Sequence, residues 1–546
     1  MKLTEKKLVL TVIVIYTLAH GLILLNRGVY WDGWVLYGQN RHLLVDQFSL
    51  LGMPWLGYGH YYAQSIVHGV IAYKIITFAC FLAAALFLNS ILKEITEIRI
   101  SDRLFIVVMF AVFPVYSARI EMIDLPYTIS YGLFFLAFYL LQKYLSKKKL
   151  PLRVLSLIGF FLSFTTNSLL LFFALALLYI VYMENKDALL QLKLREATKT
   201  LVKYLDFIIA PLLFRAIQTV YLKPVELFTD YNQIHLSLRR VVGGGLYAFT
   251  GSFFDVIWHS IRTSITPALI GVTVPVLIIM FAYCILNRLS VDRKTPNLDI
   301  LFFAFGIFSL FIGIFPYVVV GKFPTSILLS GLIKQEGLPL VYDWTSRYQL
   351  LVPLGASFMF VYGLKLIPWL DGKKRALLLS FFLGLFTVTT ISGYIDFDLD
   401  WYKQMSLIEN FKTNEVIKGH TTFLVEDKTK SFDANNRAYR FYEYSGLFKY
   451  AFGNETRLAS PDSADISKFT KTKMYNRLFK QYKLSHYRRL GKPEFIIEIE
   501  EGQTGKQIAA SRLVGYIKLR FYELLFAETR FKREVKNLVT IKTKQV

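Results

Sequence analysis

"VLSLIGFFLSFTTNSLLLFFALALLYIVYM", residues 154–183, contains no charged side chain. One helix crosses a bilayer in about 20 residues, so this stretch is too long for one untilted helix and short for two. Its flanks decide the reading. Lys143, Lys147, Lys148, Lys149 and Arg153 precede it; Lys186, Lys193, Arg195, Lys199 and Lys203 follow. Positive charge collects on the cytoplasmic side of membrane proteins, so both flanks belong there. The segment therefore enters and returns as two short helices that break at "TTNS", 165–168. A re-entrant pair buried in protein would leave the parity unchanged.

Working outward, apolar runs at 8–25, 70–92, 104–118, 128–142, 204–221, 263–286, 300–320, 350–367 and 376–394 complete a count of eleven crossings. The other basic loops fit the same side: Lys93, Arg99 and Arg103; Arg288, Arg293 and Lys294; Lys365, Lys373, Lys374 and Arg375. Lys2, Lys6 and Lys7 precede the first run with no small-residue cleavage site after it, which reads as an uncleaved signal anchor. The expected fold is a polytopic α-helical membrane domain, 1–395, followed by a mixed α/β extracytoplasmic domain, 396–546, in a plasma (inner) membrane protein with a cytoplasmic N-terminus. In the second domain, 421–427 and 494–502 read as strands, and 436–452 and 463–482 as helices.

Composition agrees. Of 546 residues, 54% are hydrophobic and only 19% charged. The net charge of +24 sits in short clusters between apolar runs, with no nucleic-acid-binding motif, so nucleic acid is excluded as a partner and the lipid bilayer is expected. Cys80 and Cys284 both fall inside apolar runs and support neither a disulfide framework nor a thiolate metal site.

The outside loops hold the residues that need a chemical reason. The first, 26–69, contains "YWDGW", with Asp32 between Trp31 and Trp34, and also His60. Asp32 either caps a short helix or acts on a substrate. The second, 115–130, carries Arg119, Glu121 and Asp124; the two acids share a face at i, i+3. Asp32, Glu121 and Asp124 together are the set that would hold a divalent cation or a substrate hydroxyl, and Arg119 either joins them or fixes the loop through an internal pair. In the loop 222–262, Gly243–Gly245 follow His235, Arg239 and Arg240 without matching a nucleotide-binding motif; they imply a mobile turn or close packing. In 321–349, Lys322, Asp343 and Arg347 flank Trp344, an arrangement that suits a lipid phosphate as well as ordinary snorkelling. Arg215 lies within a span, where a charge faces a cavity or a partner.

Taken together, "YWDGW", the acidic loop "ARIEMID" (118–124), about eleven crossings and the outside C-terminal domain resemble the GT-C superfamily of membrane glycosyltransferases, which includes the protein O-mannosyltransferases and the aminoarabinose transferases of lipid A. The resemblance implies a polyprenyl-phosphate-linked sugar donor, an extracytoplasmic acceptor and transfer by inversion. It implies Asp32 as base or metal ligand, with Glu121 or Asp124 as the second acid. Many members carry an acidic pair at the first-loop position; here Gly33 follows Asp32. A flippase or transporter of lipid-linked saccharides, a polysaccharide polymerase or ligase, and a non-catalytic assembly protein stay open as alternatives.

Overall fold

The computed structural model describes the chain apart from residues 1–2, 67–68, 188–190, 192, 226–227, 230–232, 235, 294, 325, 330–343, 463–492 and 526–527. The expected helix at 463–482, His235 and Asp343 thus lie outside the described residues.

The apolar runs are helices: α1 Glu5–His20, α2 Ile71–Lys93, α3 Ile100–Val112, α4 Leu125–Lys147, α5 Leu150–Ser163, α6 Ala174–Glu184, α7 Leu205–Tyr221, α8 Gly245–Ser264, α9 Ile270–Leu286, α10 Pro296–Val319, α11 Val352–Leu366 and α12 Gly372–Thr413. Among the described residues, six helices are long and apolar enough to cross a membrane, with four shorter apolar helices beside them.

The basic loops gather at one end of the bundle and are pinned there by ion pairs. Glu5 pairs with Arg103, Glu97 with Lys186 and Lys148 with Glu184. Arg153 grips Asp206 with two bonds of 2.7 and 2.6 Å. Lys365, buried, reaches Asp102 at 2.6 Å and Asp299 at 3.6 Å. Helix α5, of 14 residues, rises about 21 Å. At its far end the chain turns at Thr165 and Ser168, which bond Ser130 at 2.9 Å and Tyr317 at 3.0 Å. It then returns through α6 to Lys148, as the flanking charges require.

Two expectations change. The run 263–286 is not one helix: it breaks at 265–269, where Pro267 supplies no N–H, and only Ile270–Leu286 continues. The segment before it, expected as loop, is the helix α8. Two of its polar residues are buried and paired: Asp255 accepts from the N–H groups of Ile327 and Leu328 at 2.5 and 3.3 Å, and Ser252 bonds Gln349 at 3.3 Å. Of the three glycines only Gly244 serves close packing, since a Cβ there would lie 2.9 Å from the Phe323 ring while Gly243 and Gly245 face open space. Close approach also joins α10 to α11, where a Cβ on Gly355 would sit 2.3 Å from the Leu310 nitrogen.

Helix α12 has 42 residues, about 63 Å, and runs unbroken through 395 and 396. Its apolar first half packs in the bundle. Its second half includes "DFDLDWYK" (396–403), whose charged side chains are paired by the C-terminal elements around it. Lys403, fully buried, bonds Asp427 at 2.6 Å and Asp433 at 2.5 Å, while Asp400 accepts from Tyr439 at 2.6 Å. These elements form a four-stranded sheet in the order β2-β1-β3-β4, from β1 Thr422–Asp427, β2 Leu458–Ser460, β3 Phe495–Glu501 and β4 Val539–Gln545. Strand β1 runs parallel to β2 and β3, and β4 is antiparallel to β3. Helices α13 Phe441–Phe452 and α14 Arg512–Leu524 pack with the sheet.

Candidate functional site

At the end of the bundle opposite the basic loops, four segments meet: 30–36, 115–124, 344–349 and the start of α13. Ser346 Oγ ties two of them, accepting from the Ala118 N–H at 2.9 Å and bonding Ser117 at 3.1 Å. Two bends are left-handed in residues that have a Cβ: Trp31 at φ +46° and Tyr116 at φ +56°. Such backbone costs on the order of 1–3 kcal/mol and persists only where neighbours hold it. For Trp31 the holder is Glu443, which accepts from the Trp31 N–H at 3.2 Å. Glu443 is itself gripped by Arg437 through two bonds of 2.6 Å. Burial works against the charge on Arg437, but Glu443, with Asp400 and Glu121 adding to it, holds the guanidinium well above its ordinary value.

The bend at Trp31 sets Asp32. It precedes the short helix Gly33–Leu36 yet makes no capping bond with its side chain. Its Oδ1 instead accepts from the Tyr442 hydroxyl at 2.7 Å. Burial raises its pKa; the Tyr442 bond and the charges of Arg347 and Arg440 pull the other way and only part-way back. Glu121 is buried and pushed well above the usual carboxylate range by burial first, then by Asp124 and Asp32, against Arg437 and Arg347. Asp124 is buried within electrostatic reach of the same Asp32 and Arg347. Among the described residues, Oε2 of Glu121 and both oxygens of Asp124 have no hydrogen-bond partner; the Tyr116 hydroxyl faces Asp124 without forming a well-aligned bond.

The cations converge on the same place. The guanidinium of Arg347 lies 5.9 Å from the centre of the Trp31 ring and that of Arg440 lies 5.6 Å from it. Lys322 faces Arg347; burial, and then that charge, bring it down to about 8. Asp32, Glu121, Asp124, Trp31, Lys322 and Arg347 are thus brought together from a span of more than 300 residues. Among the described residues no three His, Cys, Asp or Glu side chains converge closely enough to share a metal ion.

The other expected residues sit elsewhere. Arg119 turns into the bundle, donating to the carbonyls of Tyr116 at 2.9 Å and Val115 at 2.8 Å and stacking 4.6 Å from the Phe81 ring. Arg215 is exposed on α7 and donates to Gln218 at 2.7 Å. Trp34 packs on the C-terminal elements: a Cβ on Gly446 would strike it at 2.6 Å. His60 is buried between Phe48 and Tyr73, bonds the Tyr73 hydroxyl at 3.1 Å, and is pushed down to about 3 by burial.

Sequence reasoning missed Arg437, Arg440, Tyr442 and Glu443, although "NRAYRFYEY" (436–444) is dense in arginine and tyrosine. It also missed Lys74, a single lysine in an apolar run, which is buried, donates to the Ile120 carbonyl and lies 5.3 Å from the Tyr30 ring. No family model matches the chain, and no characterised protein matches it significantly.

Proposed function

We propose that the chain is a membrane glycosyltransferase of the GT-C type, moving a sugar from a polyprenyl-phosphate carrier to an acceptor hydroxyl outside the cytoplasm, on a glycan, lipid or protein. The reading includes eleven crossings, a cytoplasmic N-terminus, and the carboxylate end and C-terminal domain on the extracytoplasmic side. One observation carries it: Asp32, with its Tyr442 bond, faces Arg347 and Arg440 beside two buried acids at the end of an apolar bundle.

Asp32 takes the proton of the acceptor hydroxyl as its oxygen bonds the anomeric carbon. The bond from that carbon to the carrier phosphate breaks, and its electron pair leaves with the phosphate. Arg347, Arg440 and Lys322 stabilise that charge, Arg most strongly through paired N–H groups. Glu121, whose pKa burial raises, donates a hydrogen bond to the sugar in its protonated form, and Asp124 accepts one. Trp31 supplies a ring for the sugar face.

The test is purified protein in liposomes with a panel of polyprenyl-phosphate sugars. Sugar release or transfer that falls in Arg347→Gln supports the reading. Movement of the intact lipid-linked sugar across the bilayer without bond cleavage would replace it with the transporter reading.

A further inference from the structure

Helix α14, Arg512–Leu524, is apolar on the face turned away from its domain as well as on part of the buried one. Its charged side chains point into protein. Arg512 pairs with Asp396 at 2.7 Å, Arg520 with Asp398 and with Glu523 at 2.7 Å, and the Tyr516 hydroxyl donates to Asp398 at 2.9 Å. Tyr516 and Leu519 are buried in the domain core, but a second set of apolar side chains points out. Val514, Ile517, Phe521, Leu524 and the adjoining Leu525 are each more than half exposed. At 3.6 residues per turn these five positions fall within an arc of about 100°. A helix facing water carries polar or charged side chains on its outer face instead. Lys518 borders the stripe and pairs with Glu534 at 3.2 Å.

The position of the helix says what covers the stripe. Arg520 donates to the Leu25 carbonyl at 3.3 Å, where the first apolar run ends, and Leu24 and Leu25 are themselves exposed. Asp396 and Asp398 follow directly on the apolar half of α12. The stripe is therefore level with the end of the bundle's apolar outer surface and continues it. We propose that α14 lies in the membrane interface, its stripe among lipid acyl chains, so that the C-terminal domain rests on the bilayer and is not held by α12 alone. Interfacial helices bind through this division of faces. The occupant is lipid, and the inference does not depend on the transferase reading.

The test places spin labels in the full chain in liposomes, with Cys80 and Cys284 replaced by alanine. Labels at Ile517→Cys and Phe521→Cys are compared with Val14→Cys, on the exposed face of α1, and with Lys532→Cys, on the exposed surface of the C-terminal domain. The expected result is accessibility to oxygen and protection from a water-soluble nickel chelate at 517 and 521, as at 14. Nickel accessibility equal to that at 532 would overturn the proposal. Protection from both reagents would also overturn it, by showing that protein covers the stripe.

Discussion

Tyr442→Phe removes one hydroxyl from the site and leaves its shape. That hydroxyl donates to Asp32 at 2.7 Å and is among the forces that hold the Asp32 pKa down against burial. A hydrogen bond to a charged group is worth about 1.5–3 kcal/mol. One pKa unit is about 1.4 kcal/mol, so the full loss corresponds to about one to two units. Asp32 is only partly buried and keeps Arg347 and Arg440, so the lower end applies, about one unit upward. A base must be deprotonated to act, so transfer falls as pH drops through the Asp32 pKa. The variant's acid limb should move about one unit to higher pH, with the rate on the plateau changed much less. The assay is initial transfer rate against pH for wild type and variant with one polyprenyl-phosphate sugar. An acid limb that stays in place would refute the claim that Tyr442 tunes Asp32.

Three further outcomes follow from the same geometry. Lys403→Met leaves Asp427 and Asp433 buried without their cation, so it should cost about 3–5 kcal/mol and lower the unfolding temperature of the detergent-solubilised protein clearly; an unchanged midpoint would contradict the role given to that cluster. His60 is neutral when folded, with its pKa near 3, and protonates near 6.5 when unfolded, so the unfolded state binds the extra proton between those values. Stability from this group is complete above about 6.5 and is lost as pH falls toward 3, by about 1.4 kcal/mol per unit; His60→Gln should flatten that slope in thermal unfolding measured against pH. A reporter fused after Val546 should show extracytoplasmic activity, and cytoplasmic activity would put the carboxylates and the basic loops on the wrong sides.

Much of the arrangement was legible in the sequence for identifiable reasons. The charge on both flanks of 154–183 required a return, and the chain does return, from Thr165 and Ser168 back to Lys148. Alternation of basic and acidic loops put Asp32, Glu121, Asp124, Lys322 and Arg347 at one end, which is why three distant loops could be read as one site. Direction within a loop was not legible. Arg119 follows a left-handed bend at Tyr116 and is drawn inward to backbone carbonyls, which no local pattern announces. Helix α8 was missed because Ser252, Asp255, His259 and Arg262 interrupt its apolar pattern, and the partners of Ser252 and Asp255 lie 70 or more residues away. Tyr442 meets Asp32 across 410 residues of chain, so that contact exists only through the docking of α13. Strands β1 and β3 fell where alternating β-branched and aromatic residues put them.

The central claim is that Asp32 is the base of a sugar transfer. Asp32→Asn keeps the oxygen that accepts from Tyr442 and removes only the capacity to take a proton. With a polyprenyl-phosphate sugar and its acceptor in liposomes, the account predicts a loss of transfer on the order of 10²–10⁴, the usual range for a lost acid–base group, with the folded yield and unfolding midpoint little changed. Transfer within a few-fold of wild type would contradict it.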